Sequence, residues 1–187
     1  MLALPLLALC LASARADTVF PAAETPESRM ISWRQRKDDD RAMQDEFNAR
    51  AQVRKDWNAA DKAQVRKILD EVWGLLESVE SKQRGVLQMM TNAVDQKAVL
   101  GQMDASTAAD LKWRLDMVYT LRMYYLYANM WPRIMEEGFG TVDPNFARLF
   151  GERCAVAISD AEFHALADRY DFDPARYGLP KPPATEN

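Results

Sequence analysis

"VRKILDEVWGLLESVESKQRGVLQMM", residues 65–90, is the stretch on which the fold turns. Val65, Val72, Val79 and Val86 stand seven apart, and Ile68, Leu75, Lys82 and Met89 occupy the second position of the same heptad. Leu69, Leu76 and Met90 widen the stripe. Apolar residues at these two positions for about four repeats predict one long amphipathic helix with a coiled-coil-like seam. Extended to residues 59–98, it would run roughly 60 Å at 1.5 Å per residue. Lys82 interrupts the seam, and a polar residue there is expected to fix register rather than to carry chemistry.

Downstream, "LGQMDASTAAD" (100–110) breaks the helix. Gly101 suits a C-terminal cap, and Ser106 with Asp110 suits the next start. The following helix reaches about Met135, with Leu111, Leu115, Val118, Leu121, Tyr125 and Ala128 on one face and a kink expected at Pro132. So short a connection makes the two helices antiparallel neighbours. Within the second, "MYYLYANMWP" (123–132) has no charge, although 28% of the chain is charged. A helix apolar all round must be covered on several sides. The expected cover is the aromatic-rich C-terminus: Phe139, Phe146, Leu149, Phe150, Phe163, Leu166, Tyr170 and Phe172.

Upstream, Thr25-Pro26-Glu27 reads as N-cap, first-turn proline and first-turn acid. The helix they open is dense in charge to Trp57, with few apolar residues: Met30, Ile31, Trp33, Met43, Phe47, Val53 and Trp57. Such a helix lies lightly on the bundle or is an arm for a partner. The run "DDD" at 38–40 lacks the spaced ligands and glycine of a calcium loop and reads as a solvated face. Asn58 is a candidate cap for the long helix. Beyond "EEGFG", "DPNFARLF" reads as a short helix, "SDAEFHALADRY" opens with the capping box Ser159/Glu162, and "DPARYG" reads as one last turn. No alternating strand pattern occurs anywhere.

The expected fold is therefore all-α: an elongated helical bundle on a long antiparallel hairpin, with an N-terminal helical arm and a cap of short C-terminal helices. Its expected divisions are a signal peptide (1–16), a linker and charge-rich helix (17–57), hairpin plus cap (58–178), and a flexible proline-rich tail (179–187).

The N-terminus bears on location. "MLALPLLALCLASARA" is an apolar run followed by small residues, with Ala14-Arg15-Ala16 shaped like a signal-peptidase site before Asp17. Ala12-Ser13-Ala14 is an alternative cleavage point, and no Lys or Arg precedes the run. The run is too short to span a bilayer. Cys10 follows "LAL", which does not suit lipidation. The expectation is a periplasmic or secreted protein, not transmembrane after cleavage. Cleavage leaves Cys154 alone, so no internal disulfide forms. It reads as a small buried apolar residue, with an intermolecular disulfide or a reactive thiol as alternatives.

Little else carries chemistry. Net charge is −4 over 187 residues with the signs interleaved, so no basic stripe argues for nucleic acid. One histidine and one cysteine in the mature chain exclude a thiolate zinc site and offer no triad spacing. His164 shares a helix face with Asp160 and Asp168, which reads as an exposed imidazole between acids, half a metal site being the alternative. Met89, Met90, Met117, Met123, Met130 and Met135 fall where a core needs gap-fillers. No catalytic residue, metal ligand or cofactor is nominated.

"RGVLQMMT", residues 84–91, resembles the Gly-Leu-Met-Gln segment of lytic transglycosylases, exported all-α enzymes that cleave peptidoglycan. Gly85, Gln88 and Met90 match, and the resemblance would set Glu71, Glu77 or Glu80 against the family's single catalytic acid. That family has an irregular loop between its Glu-Ser pair and the glycine, whereas here the valine heptad runs straight through. The later Tyr-Asn-Ala-Gly motif has only "LYANM" as an echo.

The leading expectation is thus a non-enzymatic exported scaffold, adaptor or accessory subunit, bound to a protein partner in the cell envelope. A homo-oligomer is compatible with the same pattern. The alternative is a periplasmic chaperone or carrier for an apolar ligand or unfolded chain, and a transglycosylase-like enzyme comes third. For the first two, the nominated binding residues are Met123, Tyr124, Tyr127, Met130, Trp131, Trp33 and Trp57.

Overall fold

The computed structural model describes residues 24–133, 137, 140, 142–145, 148 and 156–183. The leader at 1–16, Cys154, Phe139, Phe146, Leu149 and Phe150 lie outside the described residues. So do the side chains of Met43, Phe47 and Trp131. The protein is all-α. Its elements are α1 (Pro26–Val53), α2 (Ala59–Val99), α3 (Ala105–Arg133), α4 (Asp160–Tyr170) and a 3₁₀ turn, Pro174–Tyr177.

Local sequence accounts for the boundaries. The Thr25 hydroxyl accepts from the Ser28 amide at 3.1 Å, and Pro26 follows where no amide is needed. Asn58 and Asp61 form a reciprocal capping box at the start of α2, as Ser159 and Glu162 do for α4. At the far end of α2, Gly101 takes φ +68°, the left-handed conformation that lets the chain reverse. The cap of α3 is Asp104, two residues ahead of the expected Ser106; its carboxylate accepts from the Thr107 amide at 2.9 Å. Pro132 sits in the last turn of α3, which continues to Arg133.

α2 and α3 form the antiparallel hairpin, and α1 and α4 pack against α3. Three apolar clusters result. Val65, Ile68, Leu69, Val72 and Leu76 of α2 gather with Ala51 and Trp57. Met30 and Trp33 of α1 meet Met117, Leu121, Met123 and Tyr124 of α3 and Leu166 and Tyr170 of α4. Met90, Val94, Ala108 and Leu111 close the hairpin's turn end together with Leu179. The charge-rich α1 thus lies on the bundle, fastened at both ends.

The expected heptad seam is corrected in one respect. Its first position stays inside, from Val65 and Val72 (both 0% exposed) to half-buried Val79 and Val86. Its second position turns outward after Ile68: Leu75 is 43% and Met89 40% exposed, and Lys82 is exposed. Leu69, Leu76 and Met90 are buried instead. A straight helix drifts about 20° per heptad, so a stripe that follows one flat neighbour leaves the 3.5-residue seam.

The start of the proline-rich tail is also packed. Gly178 takes φ +60°, and the Leu179 amide donates to the Pro174 carbonyl at 3.0 Å, so Leu179 drops into the third cluster at 7% exposure.

Candidate functional site

Of the nominated residues, Trp33, Met123, Tyr124 and Tyr127 are brought together in the core. Trp33 stands edge-on to Tyr127 with ring centres 5.1 Å apart and tilted against Tyr124 at 5.4 Å; Trp73 reaches Tyr127 at 6.3 Å. Met123, Tyr124, Trp33 and Trp57 are all buried; Tyr127 is half-buried between the first two clusters, and Met130 is half-buried against the first. The Tyr124 hydroxyl donates to the Ala157 carbonyl at 3.1 Å, which satisfies its polar end. Trp33, Met123 and Tyr124 join α1, α3 and α4, while Trp57 packs with α2. Phe163, Leu166 and Tyr170 supply cover as expected, Phe163 lying 4.3 Å from Tyr125. The cover from α1 was legible only as two heavy residues, Met30 and Trp33, on an otherwise polar helix.

Ion pairs tie the same helices at their edges. Arg29 donates to Glu162 at 2.9 Å, and Glu27 accepts from both Arg169 (2.6 Å) and the Tyr170 hydroxyl. Burial, then the Glu27 carboxylate, push the Tyr170 phenol far up, so it remains a donor throughout the physiological range.

Glu80 is enclosed by its partners: its side chain is 13% exposed and accepts from Lys37 (3.0 Å), Arg84 (2.7 Å) and the Tyr119 hydroxyl (3.2 Å). Burial pushes its pKa up, but Lys37, Arg84 and Tyr119 together outweigh that, leaving it below the ordinary glutamate value. A glycosidase general acid needs the opposite shift, because it must hold a proton near neutral pH. Glu71 and Glu77 are exposed on a continuous helix, and Gly85 and Gln88 lie in that helix rather than after a loop. The geometry of the transglycosylase resemblance is absent from α2.

His164 is exposed, and Asp160 accepts from the Tyr125 hydroxyl at 2.7 Å. Among the described residues no group of three metal-binding side chains converges.

Two other features remain. A pocket of about 120 Å³ lies between α2 and α3. Val86, Leu87, Met90, Leu115 and Val118 wall it, Phe172, Pro174 and Pro182 close over it, and Gln83, Tyr119, Arg122 and Asp171 stand at its edges. The hairpin stripes hinted at its walls, but nothing in the pattern announced that Pro182 of the tail would join Phe172 and Pro174 over it. The second feature is the outward face of α2. Gly74, Ser78, Ser81 and Gly85, spaced four, three and four apart, share one exposed face with Leu75 and Met89 beside it. A Cβ built at either glycine would meet nothing within 4 Å.

Fold and site define a helical bundle with a packed core, a small pocket between α2 and α3, and an exposed stripe of small residues on α2. Comparison with protein-family models, curated proteins and solved structures finds no match.

Proposed function

We propose that the protein is an exported, non-enzymatic helical scaffold or adaptor that docks a protein partner in the cell envelope. The observation that carries this reading is the outer face of α2. Glycine in an exposed helix interior costs about 1 kcal/mol relative to alanine, and neither Gly74 nor Gly85 is required by packing within the chain. Small residues on a helix let a second helix approach closely, and the exposed Leu75 and Met89 add apolar contact at its margin. The occupant that suits this face is a helix of the partner, laid along α2.

Burial of Met123 and Tyr124 in the core favours the scaffold over a carrier. The residue pattern at 1–16 supports export, and no described helix is long and apolar enough to cross a membrane.

The test is a photo-cross-linking residue at Ser81, with one at exposed Asp168 as control, in the native envelope. Ser81 should yield a discrete heavier adduct with an envelope protein, and the mature chain should begin at Asp17. A Ser81 profile no different from the Asp168 control would sink the scaffold reading. An adduct of doubled mass only would make the occupant a second copy.

A further inference from the structure

Leu115, Val118, Tyr119 and Arg122 lie at spacings of three, four and seven on α3, and so share one face. Gln83, Val86, Leu87 and Met90 repeat the same spacing on α2, opposite them. Packed faces of this kind normally interdigitate with few voids. Here a space of about 120 Å³ persists under Phe172, Pro174 and Pro182.

The polar groups around that space are unevenly placed. At one end the Arg122 guanidinium donates to the Gln83 carboxamide oxygen at 3.2 Å, a neutral partner. Among the described residues no carboxylate pairs with Arg122. The Tyr119 hydroxyl is committed to Glu80. Asp171 marks the other end: its backbone carbonyl accepts from Arg114 at 3.4 Å, and Arg114 precedes Arg122 by eight residues, about 12 Å along a helix. The lining therefore runs from the Arg122 cation, through an apolar middle, to the contact between Arg114 and the Asp171 backbone.

We propose that this pocket binds a small monocarboxylate carrying one apolar group of about five or six carbons. Its carboxylate takes the guanidinium fork of Arg122, which matches two oxygens at once. Its hydrocarbon lies against Val86, Met90, Leu115 and Val118. The size follows from volume, since an apolar cavity of about 150 Å³ holds benzene. Arg122 supplies one guanidinium to the lining, so a single carboxylate is matched. The same chemistry is offered by a free short-chain acid and by the last residue of a polypeptide ending in leucine. The site stands apart from the outer face of α2 and does not depend on the scaffold reading.

The experiment titrates the full chain with 4-methylpentanoate, its primary amide and the peptide Gly-Gly-Leu, by calorimetry and by methyl NMR. The acid should bind and shift the methyl signals of Val86, Leu115 and Val118. The amide should bind about tenfold more weakly or worse, the loss expected for one charge-assisted hydrogen bond. Arg122→Gln should bring the acid down to the amide's affinity and leave the amide unchanged. Arg122→Lys should restore part of the difference. Leu115→Trp and Val86→Phe fill the space from opposite walls, and whichever keeps the wild-type circular dichroism should abolish binding of both. Binding by the free acid alone makes the ligand a small molecule; binding by Gly-Gly-Leu makes it a chain end. Equal affinity for acid and amide, indifference to Arg122→Gln, binding that survives a filled pocket, or no binding by any of the probes overturns the proposal.

Discussion

Trp33→Ala tests whether α1 belongs to the core. Trp33 is 2% exposed, in contact with Tyr124 and Tyr127, on a helix otherwise dominated by charge. A tryptophan buries about 150–250 Å², which at 25 cal/mol per Å² is ~4–6 kcal/mol as an upper bound against an extended unfolded chain. Alanine recovers little of this, and the vacated space opens between three helices that are pinned elsewhere, at Ala51 and by the Glu27 and Glu162 ion pairs. The expected loss is about 3–5 kcal/mol, the usual cost of truncating a buried large aromatic. For a chain of this length that lowers Tm by roughly 6–20 °C. Ile31→Ala, on the same helix at 39% exposure, should stay within about 1 kcal/mol. Urea titration followed at 222 nm gives both numbers, and amide exchange over residues 26–53 shows whether helix and hairpin unfold together. If Trp33→Ala stays within about 1 kcal/mol of wild type, α1 is an arm after all and the shared core is refuted.

Val72→Asp and Leu75→Asp distinguish the buried stripe from the heptad. The first puts a charge at a position of 0% exposure and should cost several kcal/mol, whereas the second, at 43%, should cost about 1 kcal/mol or less in urea titrations. Equal losses would mean that both positions are enclosed. Glu80 sets a pH dependence. Its folded pKa lies below the unfolded value, so the unfolded chain binds more protons and stability rises with pH through that interval. The contribution is complete above about pH 4.3 and is lost as pH falls through the folded pKa. Glu80→Gln should flatten the stability–pH curve below about pH 5, and an unchanged slope in acid denaturation would show that the Lys37 and Arg84 contacts contribute nothing.

The caps were legible because they are local. Thr25, Asn58 and Ser159 each act on an amide or partner side chain within three residues, so their residue type states their role. The hairpin followed from a long apolar stripe and a short connection. Harder to read were the doublets Leu75/Leu76 and Met89/Met90, where one member must face out and the choice depends on where α1 and α3 lie. Valines seven apart fit a coiled-coil seam and a straight helix equally over two turns, and only tertiary packing separates them. The nominated residues pose a related problem: an uncharged helix face signals contact, but not whether the contact is with the chain itself or a partner. Trp33, nearly alone among charges, carried more of that information than its helix's composition suggested. The pocket depends on Phe172, read as cover for another stretch of α3, and on Pro182, in a segment whose composition reads as a tail.

The clasp between the first turn of α1 and the two ends of α4 also orders events in time. Glu162 follows its partner Arg29 by 133 positions, and Tyr170 follows Glu27 by 143. At 5–20 residues per second, α1 leaves the ribosome on the order of ten seconds before α4 exists. During that interval Met30 and Trp33 have α3 only when it arrives, and no lid over them until the chain is nearly complete. α2 and α3, whose contacts are close in sequence, assemble without waiting. The two ends therefore close last and close together, and a chain interrupted before residue 160 lacks the Arg29–Glu162 and Glu27–Arg169 contacts that hold the first turn of α1.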